Sequence, residues 1–332
     1  MPSLGIIRGF GEGYIVTGCI IRLIKAINKR FRSHITYEEI PCGNYIEHGR
    51  EIPEEIAENI KEYDCILSGD FASDTNPISY TEGDIAYALS ANIEYTYVSM
   101  ADTDICIASY FDGGFKMRDG KNTREGSSET RVCSAYTALN IVKDVSRLAE
   151  KRRRRLAFVT DADNEYCADM FSNSFESFTM PMSNFKMVKY TSGEICHDIL
   201  CDIAAFDVIF ASKAFTETTL GVFRFLMKDK YASFKKYNSE KPFYTVKAAE
   251  TNSASGDYTP SLYSYITAFS ELLKAEFNME KEAVSLQRAL LDAMEFASFE
   301  SGEEFTDKVI ELLQRPVKTK YSKAPEKSRY IK

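Results

Sequence analysis

Short, almost wholly apolar runs alternate along this chain with longer stretches in which apolar residues recur every third or fourth position. The runs LGIIRGF, YDCILSGDF, DICIASY, LAFVT and FDVIFAS read as strands, and their lack of polar alternation points to burial on both faces. HITYEEIP, IEYTYVSM and FKMVKYT are further strands with more polar positions. Between them YIVTGCIIRLIKAINKRF, residues 53–63, 131–151 and about 165–175, and HDILCDIAA carry helical spacing. The last third, with YTPSLYSYITAFSELL, EKEAVSLQRALLDAMEFAS and TDKVIELLQ, is helical. This alternation predicts an α/β fold with a largely parallel sheet. Residues 115–130, FKMRDGKNTREGSSET, follow neither period and predict a long excursion or hairpin arm.

Length changes the picture first: 332 residues exceed what one small core organises, so two lobes or one large α/β unit are expected. No apolar stretch approaches the roughly 18–20 residues that cross a bilayer. The start, MPSLGIIRGFGEG, lacks the basic, apolar and cleavage regions of an export signal. A soluble protein of the cytoplasm or an organelle matrix, without a membrane partner, is the expectation. A net charge of −8 argues against nucleic acid as a partner, because phosphate neutralisation demands a basic surface. The run Lys151 to Arg155 reads as a solvated helix end whose cations complement the dipole. Residues 316–332 read as a basic tail for partner contact or free movement.

The cysteines at 19, 42, 65, 106, 133, 167, 196 and 201 have no Cys-x-x-Cys pair and fall mostly in apolar runs, so reduced, buried thiols are expected. Cys196, His197 and Cys201 lie close enough for a ligand cluster, but GEICHDILCDI also has helical spacing, and a structural role is the favoured reading.

Several segments, taken in order, resemble the isocitrate/isopropylmalate (β-decarboxylating) dehydrogenase family. Gly9-Phe10-Gly11-Glu12-Gly13 is similar to that family's first glycine turn, GNYIEHGREIPEE from Gly43 to its small loop and next helix, YDCILSG and FDVIFASKAF to two of its strands. With Asp112-Gly113-Gly114 and Thr259-Pro260 in register, the match spans roughly residues 4–313. The resemblance implies a two-lobed isopropylmalate-dehydrogenase-like fold with a large, mixed, mostly parallel sheet. It implies a first lobe of residues 1–98 plus 244–315 and a second of 99–243, with hinges at Gly69 and near 98 and 244. It further implies a homodimer, or a heteromer with a catalytic paralogue, clasped through the second lobe and an arm at about 115–130.

The same resemblance implies oxidation and decarboxylation of a 2-hydroxy acid with NAD(P) and a divalent Mg or Mn ion. The residues at the corresponding positions depart from that chemistry. The catalytic lysine and tyrosine fall on Ala162 and Lys116, and alanine cannot take a proton. Two metal-binding aspartates fall on Glu217 and Gly221, and a third lies near Glu194. The substrate-clamping arginines fall on Ser109 and within ALSANIEYTYVSM, which has no basic residue. The cofactor loop falls on KAAETNSA, with Lys247 for its histidine and Asn252 for its ribose-binding aspartate, while Gly256 and Asp257 could still turn tightly.

Three readings follow: a catalytically degenerate structural, regulatory or ligand-binding subunit; a repurposed enzyme in which Lys116 and Lys247, with Asp161 and Glu217, meet a small anionic ligand; and an ordinary NAD(P)- and metal-dependent oxidoreductase. The first is favoured, because the departures touch metal, acid/base, substrate and cofactor positions together.

Overall fold

The computed structural model describes residues 1–40, 53–71, 82–100, 103–110, 119–122, 126–130, 134–160, 165–179, 185–227, 231–239, 241–246, 259–295, 299 and 301–315. In chain order these form β1 (Ser3–Ile7), α1 (Glu12–Phe31), β2 (Thr36–Ile40), α2 (Glu54–Asn59), β3 (Cys65–Ser68), α3 (Glu82–Ala88), β4 (Ile93–Met100) and β5 (Thr103–Tyr110). Next come β6 (Asp119–Asn122), β7 (Ser127–Thr130), α4 (Ala135–Lys151), β8 (Arg155–Thr160), α5 (Glu165–Thr179), β9 (Lys186–Thr191) and α6 (Ser192–Cys201). The chain continues through β10 (Val208–Ser212), α7 (Lys213–Met227), β11 (Tyr231–Asn238), β12 (Phe243–Thr245), α8 (Thr259–Ala275), α9 (Glu280–Met294) and α10 (Gly302–Gln314).

One ten-stranded sheet runs in the order β2-β1-β3-β12-β11-β4-β5-β10-β8-β9. Its two flanks are parallel, β2-β1-β3-β12 on one side and β5-β10-β8-β9 on the other. Between them, β11 is antiparallel to β12 and to β4, and β4 is antiparallel to β5. Three successive reversals make the flanks point in opposite directions. The carboxyl ends of β5, β10 and β11 therefore share one edge of the sheet with the amino end of β4. The α/β class and the mostly parallel, mixed sheet expected from the sequence are both present.

Four buried apolar clusters dress this sheet. On one face, α1, α8, α9 and α10 cover one half while α4 and α5 cover the other, and Tyr97 of β4 packs against both clusters. On the opposite face, Ile56, Ile60, Ile85 and Tyr237 belong to one cluster, under α2 and α3. Val98, Ile107, Ile209 and Phe223 belong to the other, under α6 and α7. A polar seam runs between these last two.

The expected arm is a two-stranded antiparallel ribbon in which β6 and β7 pair from Asp119↔Thr130 to Asn122↔Ser127; residues 115–118 and 123–125 lie outside the described residues. Helix starts follow caps more than apolar periodicity. Ser134 accepts from the Thr137 N–H and caps α4, which begins at Ala135, four residues after the expected start. A reciprocal Thr191–Glu194 capping box begins α6 five residues before HDILCDIAA.

The basic run 151–155 is the solvated helix end that its composition predicts at Lys151, Arg153, Arg154 and Arg155, which are exposed, whereas Arg152 is half-buried and, with the Arg153 backbone, binds buried acid. Arg152 donates from Nε to Asp207 Oδ1 at 2.8 Å and from Nη2 to the Asp104 carbonyl at 2.8 Å. The Arg153 backbone N–H donates to Asp207 Oδ2 at 2.7 Å, and Asp207 is almost fully buried. The run thus ties the end of α4 to the starts of β5 and β10, and the buried aspartate is compensated by charge-assisted bonds.

The first glycine turn is a packing device. Gly9 adopts φ +68, and Phe10 N–H and Gly69 N–H bond to Asp70 and Ile7 carbonyls at 2.9 and 2.7 Å. A Cβ on Gly69 would stand 2.3 Å from the Arg8 carbonyl oxygen and 2.7 Å from that of Gly13, both rigid backbone atoms. Gly69→Ala is therefore expected to destabilise the protein by about 2–3 kcal/mol in urea unfolding. Gly221 is the control: it lies inside α7 with nothing within 4 Å of a built Cβ. Gly221→Ala should raise stability by about 0.5–1 kcal/mol. Equal effects of the two substitutions would contradict this account of the turn.

Candidate functional site

Strand pairing places Glu94 of β4 opposite Ser109 of β5 on one side and Tyr237 of β11 on the other. Alternation then puts Thr96 and Lys235 on the same face. That face is the polar seam, at the carboxyl ends of β5, β10 and β11, which is where open α/β sheets place their ligands. Immediately after β10, the first turn of α7 brings Lys213, Thr216 and Glu217 onto the same surface, as their helical spacing requires. Glu82 at the start of α3 closes the cluster.

The Glu94 carboxylate is completely buried, and its Oε2 accepts from Lys213 Nζ at 2.6 Å and from the Tyr237 hydroxyl at 2.7 Å, with Lys235 Nζ 3.7 Å away. Its Oε1 accepts from Thr96 Oγ1 at 3.4 Å. Lys235, also buried, donates to Glu82 Oε1 at 2.9 Å and lies 3.5 Å from Glu217 Oε1. Beside them the Ser109 and Thr216 hydroxyls share a hydrogen bond of 2.7 Å. Three carboxylates thus face two ammonium groups and one phenol. Lys213 begins a helix, where the dipole opposes a cation, and Glu94 offsets that opposition.

Burial pushes the Glu94 carboxyl up, but Lys235 and Lys213, with hydrogen bonds from Lys213 and Tyr237, outweigh it and hold the group below the usual carboxylate range. Burial pushes Lys235 down, and Glu94, Glu82 and Glu217 more than reverse this, so it stays protonated. Burial, joined by Glu94 and Glu82, drives the Tyr237 phenol well above its ordinary value. Lys235 and Tyr237 are therefore donors, not bases, at neutral pH. Both lysines are paired with internal acids, Lys213 with Glu94 and Lys235 with Glu82.

Of the residues expected from the sequence, Glu217 joins this cluster, but its charged neighbour is Lys235. Gly221, one turn further on, offers no side-chain oxygen. Glu194 is committed to its capping box, accepting from the Thr191 N–H and hydroxyl at 2.8 Å each. Those hydrogen bonds lower its titration range. Cys201 touches His197, with Sγ 3.8 Å from Nε2, whereas Cys196 packs against the apolar cluster under α6. Among the described residues no group of three His, Cys, Asp or Glu side chains could hold a metal ion. Lys116, Asp161, Ala162, Lys247, Asn252, Gly256 and Asp257 lie outside the described residues. Glu82, Glu94, Lys213, Lys235 and Tyr237 were not singled out from the sequence. The available signal was charge inside strands: one glutamate in IEYTYVSM and two lysines in YASFKKYN.

A buried ion left without its partner is strongly destabilising, whereas removing all members together is close to neutral. Glu94→Gln should cost about 3–5 kcal/mol. Glu94→Leu combined with Lys213→Met and Lys235→Met should recover most of that loss, because Glu82 and Glu217 reach solvent. The pH dependence follows from the directions above. A depressed carboxyl contributes fully above its ordinary pKa of about 4.3 and loses that contribution as pH falls through its lower folded value. The raised Lys235 contributes fully below about 10.4 and loses its part only as pH rises beyond. The stability gap between wild type and Glu94→Gln, measured by urea unfolding, should stay flat from about pH 5 to pH 10 and close in acid. A gap that widens in acid, or a triple variant no better than the single one, would refute the assignment.

No protein-family model matches the sequence, and no curated protein matches it. Among solved structures, the isocitrate dehydrogenase of Methylococcus capsulatus superposes with a TM-score of 0.77 over 95% of this chain and 100% of that one, at 12% identity. A beta-decarboxylating dehydrogenase of Thermococcus kodakarensis in its apo form superposes with a TM-score of 0.73 over 95% of this chain and 96% of that one, at 14% identity. The chain has the fold of these two enzymes across nearly its whole length.

Proposed function

We propose that this chain is a catalytically degenerate relative of the β-decarboxylating dehydrogenases, working as a structural, regulatory or ligand-binding subunit in place of an NAD(P)-dependent oxidoreductase. The observation that carries this reading is Glu94. In the segment 88–100, where the resemblance implies arginines that clamp substrate carboxylates, β4 contributes a fully buried carboxylate tied to Lys213, Lys235 and Tyr237. A 2-hydroxy acid entering this seam would meet two ammonium groups that are already paired with internal carboxylates, in place of the arginines that the resemblance implies. Ser109 and Gly221, at positions implied for an arginine and a metal ligand, support the same reading.

A scaffold kept over 95% of the chain while site chemistry is replaced suits a role in assembly. We infer a homodimer, or a heteromer with a catalytic paralogue, formed through the second lobe and the β6–β7 ribbon, in the cytoplasm or an organelle matrix. The two lobes are residues 1–98 with 244–315, and 99–243.

Differential scanning fluorimetry against NAD, NADP, Mg or Mn, and a panel of 2-hydroxy acids tests the ligand side. A ligand at about 100 times its Kd would add about 2.7 kcal/mol, which moves Tm by several degrees. The expected result is no shift for dinucleotide, metal and hydroxy acid together; a rise with that combination would restore the oxidoreductase reading. Native mass spectrometry of the tagged chain purified from its host tests the subunit side. A dimer or a stoichiometric complex is expected, and a solitary monomer would contradict it.

A further inference from the structure

The second parallel flank carries a concavity at the end opposite the Glu94 seam, by the amino ends of β8, β9 and β10. α6 leaves the carboxyl end of β9, packs back across β8 and ends at Cys201, after which residues 202–207 carry the chain into β10. Among the described residues β9 is the outermost strand, with β8 as its one neighbour, and no residue of it is fully buried. One face of the first residues of β8 and β9 therefore stays uncovered beside the helix. The result is a recess of about 410 Å³, within the range of about 300–1,000 Å³ usual for small-ligand sites.

Two-residue alternation puts Arg155 and Ala157 of β8 and Lys186, Val188 and Tyr190 of β9 on the face that lines this recess. In the strand register Ala157 stands beside Val188 and Arg155 beside Lys186. Ala157, Val188, Tyr190 and Phe206 make an apolar floor, with the Tyr190 and Phe206 ring centroids 5.9 Å apart. Arg155 and Lys186 are exposed, and neither has an ion-pair partner among the described residues. Two like charges on neighbouring strands repel, and a carboxylate between them turns that cost into two charge-assisted hydrogen bonds. The facing wall carries Asp198 and Asp202. Asp202 Oδ1 accepts from the Ala204 N–H at 3.1 Å, which orients the carboxylate and leaves Oδ2 without a partner among the described residues. An apolar recess with cations on one wall and carboxylates on the other suits a zwitterion with an apolar body.

We propose that this recess binds a free α-amino acid with an aromatic side chain. Arg155 and Lys186 hold its carboxylate, Asp202 takes its ammonium group, and its ring rests on Val188, Tyr190 and Phe206. The event is binding alone, with no bond made or broken. The site stands apart from the Glu94 seam and does not rest on the reading given to that seam.

The test is isothermal titration of the full chain with L-phenylalanine, with 3-phenylpropionate, which lacks the ammonium group, and phenethylamine, which lacks the carboxylate, as comparisons. Saturable binding of L-phenylalanine is expected, and each comparison compound should bind about tenfold more weakly, as the loss of one charge-assisted contact requires. Arg155→Gln with Lys186→Gln, both at exposed positions, should weaken L-phenylalanine and 3-phenylpropionate by about tenfold and leave phenethylamine unchanged. Asp202→Asn, which keeps an acceptor for the Ala204 N–H, should weaken L-phenylalanine and phenethylamine and spare 3-phenylpropionate. The proposal is overturned if L-phenylalanine shows no saturable binding at millimolar concentration, if either comparison compound binds as tightly, or if the rim substitutions affect all three compounds equally.

Discussion

A single buried carboxylate sets the character of the molecule's central seam. Glu94 sits in the middle of a ten-stranded sheet without solvent contact, and an ion in that position persists only if its desolvation is repaid locally. Lys213 at the start of α7, Lys235 on β11 and the Tyr237 hydroxyl repay it. Because Lys235 also binds Glu82 on α3 and approaches Glu217 on α7, the same interaction fastens two helices to one surface. The seam is a set of mutually dependent charges, and removing a partner of Glu94 or Lys235 leaves a buried ion without its compensation.

The topology makes that fastening necessary. With β4 and β11 antiparallel between two oppositely directed parallel flanks, the apolar clusters on this face do not merge, and the strip between them has to be filled by something. In a binding enzyme such a strip can remain polar and open to a ligand. Here internal ion pairs fill it. Among the described residues the seam holds three carboxylates and two ammonium groups, each ammonium paired with a carboxylate.

The elements with strong apolar signatures were legible in the sequence. β1, β3, β5, β8 and β10 are runs that only a doubly covered strand explains, and α1, α4, α8 and α9 declare themselves by period. What escaped is physically uniform. β12 has three residues and α3 seven, too short for a period to emerge. β11 hides as YASFKKYN because its adjacent lysines point to opposite faces, where Lys235 meets Glu82 and Lys236 meets Glu276 at 2.6 Å. A charge paired across 153 residues of sequence cannot be told from a solvated one before the partners are brought together. The role of Arg152 within the basic run escaped for the same reason, since Asp207 and Asp104, which bind it, lie on β10's approach and on β5. The absence of arginine from 88–100 was readable, but the burial of Glu94 among lysines was not.

The most direct test of the central claim is turnover itself. The purified chain is supplied with saturating NAD or NADP, magnesium and isocitrate, isopropylmalate or tartrate, and formation of the reduced nicotinamide is followed over hours. The account predicts a rate indistinguishable from that without protein. Turnover that scales with the concentration of this chain, and stops when the metal is chelated, would contradict it.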